Sequence, residues 1–585
     1  MSFWTSSSGM SVSASSSSLS PPSAPAAGAG AGTGARAPHP PASNLSPLAW
    51  SIQQQQQQQQ LQKMRTASRG EGQKGGPPPM TIPSVSARRP LQPREVSSAI
   101  AQGRQGRTRV IWQDVASITL GGGAGAGDRP PAGDTEESEP DRSGLYPLTA
   151  GRAKPAIMVG GSYRLIDIPI SNAINSGIVK NYVVTQYNSQ SLGRHIRMAF
   201  DLGSRVGIGG CVEVLNAQVT PDEASSGWFL GSADAVRHYA WLLDNANVED
   251  VLVLSGEHLF HMDFTELIVQ HRLSGADVTV CGIPLTEARA TEKHFGMLRV
   301  GRSDSDQFLQ VEEFFEKVHS TVPPAKFRMT DGQELLGLSE SEAAKRPYFG
   351  SMAAYVFKNE VLQRVLLDEL KEANNFADLF PGMLQRGYNI FAFPFLGYWE
   401  NVGRDLSTFL DENLRLVSVD PFVEGPSASR SGGLPLYSAN SPFYTTSRQI
   451  GPAIFGDGVT VEGGLISNGV FLGNGCTVDN SIVGLRGRVG EGACVHDSMI
   501  MGLDAHLSTE RIAEMRAAGR VPLGIGRDAV LRRCIVDKNA AVGDGAQLVN
   551  REGVQEAFRE DEGFCIRNGI IVVMKGATIP HGFVI

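Results

Sequence analysis

The sequence predicts an α/β domain wound on both faces of a mixed sheet, followed by a parallel β-helix. Three observations carry this. Apolar strand-like runs alternate with helical stretches through the first half, which is the pattern of a doubly wound sheet with its site at the carboxyl ends of the strands. Further on, Val470, Cys476, Ile482, Cys494 and Ile500 fall on a six-residue period that only Arg488 breaks, with glycines between them. That period is the mark of a stacked coil. Between the two textures lies a stretch rich in Ser, Pro and Gly, from Glu424 to Gly451, which reads as a linker.

The chain has 585 residues, 41% of them hydrophobic and 19% charged, and a formal net charge of −8. That length supports two or more domains with full cores. The charge leaves no broad positive field for nucleic acid, and no apolar run approaches the length of a membrane span. Six cysteines show neither a C-x-x-C pair nor zinc-like spacing, which suits structural thiols in a reduced compartment. No acid precedes Glu71, and the region before it is crowded with Ser, Ala, Pro and Gly and carries Arg36, Lys63, Arg65 and Arg69. An acid-poor, Ser-rich, basic start without a compact apolar segment reads as an organelle transit peptide. A plain disordered tail is the alternative, given the eight glutamines Gln53 to Gln60. Residues 1–105 are accordingly set apart from the fold.

In residues 106–424, Ala116 to Leu120 is a β-rich run that ends at Gly121-Gly122-Gly123-Ala124-Gly125, a strand and loop suited to phosphate. Tyr182 to Thr185, Val251 to Leu254 and Val278 to Ile283 read as further strands, and Ala233 to Asp244 and Phe264 to Leu273 as helices. After the linker at 425–450, residues 451–585 form the coil. Ser508 to Ala518 interrupts it with a short helix that has Ser/Thr at its start and Gly519 at its end.

Several blocks resemble one family. Arg152-Ala153-Lys154-Pro155-Ala156 with Tyr163-Arg164-Leu165-Ile166-Asp167-Ile168-Pro169, and Gly231-Ser232-Ala233-Asp234, are similar to motifs of ADP-glucose pyrophosphorylases. So is Ser441-Pro442-Phe443-Tyr444-Thr445, while Pro522-Leu523-Gly524-Ile525-Gly526-Arg527 and Ile535-Val536-Asp537-Lys538-Asn539 are similar to the plant and algal form. The resemblance runs from about Ile118 to Ile585. It implies a nucleotidyltransferase domain with a left-handed coil, and the reaction of ATP with glucose 1-phosphate to give ADP-glucose and diphosphate. It also implies Mg²⁺, a heterotetramer with catalytic subunits, 3-phosphoglycerate and phosphate as effectors, and a plastid location.

Residue by residue, the resemblance implies Lys154 and Glu257 as catalytic positions and Leu120, Gly121, Gly122, Gly231 and Asp234 around the nucleotide. Glu316, Lys317, Ser351 and Trp399 are expected at the sugar phosphate. Arg152, Arg164, Arg194 and His195, with Lys538 and Lys575 of the coil, are expected at the effector. The pattern departs at three points. Nineteen residues, Ala126 to Gly144, with six acids, stand where the family has only Thr-Arg. Net negative charge beside a triphosphate is repulsive. Glu257 replaces one metal-binding Asp, which pushes the carboxylate out by about 1.5 Å, and Asn401 replaces the other. Mg²⁺ demands near-ideal octahedral geometry. Leu230 and Asn375 depart as well, from a Gln beside the nucleotide and an Asp of the sugar pocket.

Three functions follow for comparison: a regulatory subunit with a degenerate ATP–metal site, a fully catalytic subunit, and another sugar-nucleotide transferase. The intact effector positions beside the broken metal positions favour the first.

Overall fold

The computed structural model describes residues 111–122, 144–200, 211–217, 229–291, 296–303, 307–315, 324–329, 332–418 and 433–585. The expected transit peptide, residues 126–143 of the expected insertion, and Glu316 and Lys317 lie outside these. No helix among the described residues is long and apolar enough to cross a membrane.

The first domain is a mixed sheet. Its strands are β1 (Trp112–Leu120), β2 (Ile178–Thr185), β3 (Cys211–Asn216), β4 (Asp250–Ser255), β6 (Val278–Leu285), β7 (Met297–Arg302), β8 (Leu309–Phe315), β9 (Tyr348–Lys358) and β10 (Ile390–Pro394). A separate antiparallel pair, β5 (His258–Phe260) and β11 (Trp399–Asn401), lies beside it. The sheet order is β3-β2-β1-β4-β9-β6-β10-β8-β7. β3, β2, β1 and β4 are parallel, whereas β9 runs antiparallel to both β4 and β6. The order turns back at β1 and β4, so their carboxyl ends form the switch point where such sheets bind ligands.

Alternation along the strands sorts side chains onto two cores. Val251 and Val253 join the core with Ile118, Val280 and Phe380, while Leu252 and Leu254 join the opposite one. β1 is buried over five successive residues because helices cover both faces. The stretch 233–244 is two helices rather than one, Ser232–Arg237 and Ala240–Asn245. Tyr239 breaks it, because it turns inward, is buried, and gives its hydroxyl to the Asn216 carbonyl.

From Ile454 the chain climbs as parallel rungs: Thr460 pairs with Thr477, Thr477 with Cys494, Cys494 with Val530, and Val530 with Gln547. One turn is 17 residues, the spacing at which Asn480 donates to Asp497. Three repeats of six would need one more, so the six-residue pattern slips by one each turn. Cys476 is therefore followed in the interior by Ala493, Ala529 and Ala546, and Cys494 is left only partly buried. Ile482, expected inside, faces out of the coil, and its neighbour Val483 fills the interior instead. The helix Thr509–Ala517 leaves the coil as expected, with the Ser508 hydroxyl accepting from the Arg511 amide and Gly519 at φ +67°.

The outward row Ile482, Met499, Ile535 and Val572 joins the core of the first domain with Leu414, Leu416 and Phe443. The two domains thus share one apolar interior. Residues 433–450, read as a linker, form an extended strap. Leu434 and Phe443 are buried, the Tyr444 amide donates to Ser171 Oγ at 2.8 Å, and Asn175 donates to the Pro442 carbonyl at 2.9 Å.

Candidate functional site

β1 ends at Leu120, and the two residues after it leave almost no room for side chains. The Gly121 amide donates to the Val184 carbonyl at 2.7 Å, and a Cβ there would lie 2.8 Å from that same oxygen. Gly122 has φ +97°, and a Cβ would meet Pro155 at 2.9 Å. The short helix Lys154–Ala156 therefore lies directly on the glycine turn. Gly256, just past β4, donates to the Leu120 carbonyl at 3.1 Å, and a Cβ on it would be 2.5 Å from that oxygen. These close approaches bring Leu120, Gly121, Gly122, Lys154 and Glu257 together at the switch point.

Lys154 Nζ is 3.0 Å from Glu257 Oε2, with both side chains partly exposed. Gly403 lies against the same carboxylate, since a Cβ on it would sit 2.2 Å from Glu257 Oε2. Asn401 is on β11 opposite His258, and its side-chain oxygen accepts from the Gly403 amide at 3.1 Å. Glu257 and Asn401 are thus neighbours, as two metal-binding positions should be. Yet the carboxylate is engaged by a lysine and the amide oxygen by a backbone donor. Among the described residues no cluster of three or more His, Cys, Asp or Glu could hold a metal. One carboxylate balanced by an ammonium, beside a neutral amide, does not fit a Mg²⁺ ion held by the protein.

His258 carries no signal of its own in the sequence. It is buried, edge-on to Trp399 with ring centroids 5.0 Å apart. Burial pulls its imidazole down to about 4, against the opposing pull of Glu257. It is therefore neutral near pH 7 and supports Trp399 from within. Ser351 is also buried, and its hydroxyl accepts from the Ala353 amide at 3.1 Å, where β9 bulges and Ala353 takes φ +50°. A non-glycine residue in that region stores strain of the kind found at functional sites.

Gly231 sits against the start of the helix Phe376–Gln385, where a Cβ would lie 2.3 Å from the Asn374 carbonyl. Asp234 is occupied internally, because it accepts from the Leu230 amide at 2.8 Å and pairs with Arg237 at 2.8 Å. Asn375 serves as the N-cap of that helix in a capping box with Asp378.

The expected effector residues meet only in part. Arg164, Lys538 and Lys575 converge on the seam between the domains around Asp504. Burial, followed by Arg152 and Arg448, pulls Arg164 down to about 10 against the opposing Asp167 and Asp504. Burial lowers Lys538 too, opposed by its ion pair with Asp504. Burial would raise the Asp504 carboxyl, but Lys538, Asn539 and Lys575 outweigh it and hold it low. Arg448 of the strap adds a cation that was not singled out from the sequence, where it stood in a stretch read as a linker. The other three expected residues are placed differently. Arg152 forms a buried ion pair with Asp537 of the coil and gives its Nε to the Leu148 carbonyl. His195 is buried between Asp167, at 2.6 Å, and Thr446, at 3.0 Å. Arg194 is exposed on the helix Gln190–Phe200. Asp167, fully buried, also accepts from the Arg164 amide at 2.9 Å and so organises this side of the seam.

A nucleotidyl transferase family model matches residues 143–417. A model of the GLGC left-handed parallel β-helix domain matches residues 448–584. The first match starts beyond the glycine turn, so β1 and Gly121–Gly122 are placed at the site by the topology of the sheet. The chain carries a nucleotidyl transferase domain followed by a GLGC left-handed β-helix, which is the architecture of ADP-glucose pyrophosphorylase.

Proposed function

We propose that this chain is a subunit of a glucose-1-phosphate adenylyltransferase and contributes mainly allosteric regulation. The reaction of the assembly is ATP with α-D-glucose 1-phosphate, giving ADP-glucose and diphosphate for starch synthesis. The observation that carries this reading is the Lys154–Glu257 ion pair at 3.0 Å, with Asn401 turned onto the Gly403 amide. Attack on the α-phosphorus of ATP needs cations placed against developing negative charge. Here Lys154 at the switch point is balanced by a carboxylate, and the second metal position has lost its charge. On this reading the Mg²⁺ that accompanies ATP is supplied with its ligands by catalytic subunits of a heterotetramer, in a plastid.

The seam supports the regulatory half of the reading. Arg164, Arg448, Lys538 and Lys575 bring four cations towards Asp504, so an anion such as 3-phosphoglycerate or phosphate gains from joining them.

A second reading, that the chain turns over by itself, draws on the convergence of Gly121, Gly122 and Lys154. The deciding experiment assays the purified full-length chain for ADP-glucose formation, alone and mixed with a catalytic subunit. Negligible turnover alone, with an altered phosphate response in the mixture, is expected. Robust turnover by the chain alone, abolished by Glu257→Ala, sinks the regulatory reading.

A further inference from the structure

The coil domain also touches the switch point through side chains that are not among the effector cations. Its last hairpin is formed by Glu556–Arg559 and Phe564–Arg567, joined by a short turn at Glu560–Glu562. From this hairpin two side chains reach residue 146 of the first domain. The Tyr146 hydroxyl donates to Glu560 Oε1 at 2.7 Å. Arg567 Nη1 donates to the Tyr146 carbonyl at 3.1 Å, and its Nε faces Glu556 at 3.4 Å. One residue is thus held by both its hydroxyl and its backbone from a segment more than 400 positions away, the separations being 414 and 421.

What Tyr146 is attached to gives this contact its meaning. Two residues earlier, Gly144 has φ +60° and lies over the ion pair. A Cβ on it would be 3.4 Å from the Gly403 carbonyl and 3.9 Å from Lys154 Nζ. Between them, Leu145 is fully buried and fixes the apolar side of the segment. Beyond, the Leu148 amide turns back onto the Leu145 carbonyl at 2.8 Å and the Ala150 amide onto Pro147 at 3.1 Å. The apolar side of the segment 144–150 is therefore held in the interior that the two domains share, and the polar side of its first turn by the coil. Contacts from both domains thus meet on the segment that carries Gly144.

We propose that the terminal hairpin of the coil is a positioning element for the nucleotide end of the site. It acts through Glu560 and Arg567 on Tyr146, which sets the backbone at Gly144 beside Lys154. The proposal rests on the reading of the switch point as the nucleotide site. It adds a polar connection between the domains that uses none of the effector cations, and Tyr146, Glu560 and Arg567 are positioning residues. Anything that shifts the hairpin relative to the first domain shifts Gly144 against Lys154.

Tyr146→Phe in the full-length chain removes the hydroxyl and keeps the ring, and Arg567→Ala removes the backbone clamp while Arg567→Lys keeps a donor. Hydrogen exchange at the Leu148 and Ala150 amides is expected to speed about three- to tenfold in Tyr146→Phe and Arg567→Ala, the worth of one such bond, with partial rescue by Arg567→Lys. ATP titrated by calorimetry is expected to bind about three- to tenfold more weakly, with glucose 1-phosphate affinity and the thermal midpoint unchanged. Unaltered exchange in both variants overturns the positioning role, whatever the chain does with nucleotide. Faster exchange with unaltered ATP affinity overturns its connection to the site. A wild-type chain that takes up no ATP refutes the nucleotide reading instead, and the exchange arm then decides the hairpin's role by itself.

Discussion

Arg152 and Asp537 form the most deeply buried charge pair across the two domains described above, with side-chain exposures of 6% and 2%. Removing one partner leaves the other charged and out of water, which costs about 3–5 kcal/mol. Two further bonds refine the figure. Arg152 Nε also serves the Leu148 carbonyl at 2.9 Å, and Asp537 Oδ1 accepts the Lys538 amide at 2.6 Å. Each orphaned backbone group adds about 1 kcal/mol. Arg152→Met and Asp537→Leu are therefore each expected to cost about 4–6 kcal/mol. The double variant replaces the pair by apolar side chains and retains only the two backbone losses, about 2 kcal/mol. The measurement is guanidinium unfolding of the full chain and its three variants, read as a double-mutant cycle. Single variants within 1 kcal/mol of wild type, or a double variant equal to the sum of the singles, would refute the assignment. The same set tests the role expected for Arg152 from its family position. With its guanidinium committed to Asp537, conversion to Met should alter phosphate affinity far less than Lys538→Met does.

Three other outcomes follow from the geometry. Because burial lowers His258 to about 4 while the unfolded chain titrates near 6.5, the unfolded state binds the extra proton between those values. Stability attributable to His258 is thus full above pH 6.5 and falls by up to about 3 kcal/mol as pH drops to 4; His258→Phe should flatten that part of the stability–pH curve. Gly256→Ala places a methyl 2.5 Å from the Leu120 carbonyl, so a loss of about 1–3 kcal/mol or more in a thermal or denaturant scan is expected. Glu257→Asp combined with Asn401→Asp shortens one carboxylate and restores the other. ADP-glucose formation by the chain should rise by about ten- to a hundredfold, and no rise would point to the segment after Gly122 as the main defect.

Both domains can be read from the sequence because their signals are local. β1, β4 and β6 are short apolar runs bounded by glycine or polar residues, and the coil repeats itself. The six-residue rule misplaced Ile482 and Cys494 for a physical reason, since a 17-residue turn drops one position from every third side. Ile482 is as apolar as Val483, and only the presence of the first domain decides which of them faces it. The switch point was legible because glycines in tight quarters leave a pattern, and the Glu257 and Asn401 departures were legible because they fall inside long motifs. The roles of His258, Asp167 and Arg448 left no such trace. Each acquires its role from a partner distant in the chain, Trp399, His195 or Asp504, and a single polar residue carries no periodicity. Arg152 and His195 show the reverse case. Their family positions suggested an anion, whereas their depth in the fold commits them to Asp537 and Asp167.

The strap at 433–450 has a consequence for modularity. By order in the chain it precedes the coil, but through Leu434, Phe443, Tyr444 and Thr446 it belongs to the first domain. A chimera that exchanges coils between related chains at 451 would carry a complete first domain into its new context. One joined at 433 would strip that domain of part of its own interior and graft it onto a partner never shaped to receive it. The unit that can be recombined is thus set by where side chains are buried, at the far end of the stretch that reads as a linker in the sequence rather than at its start.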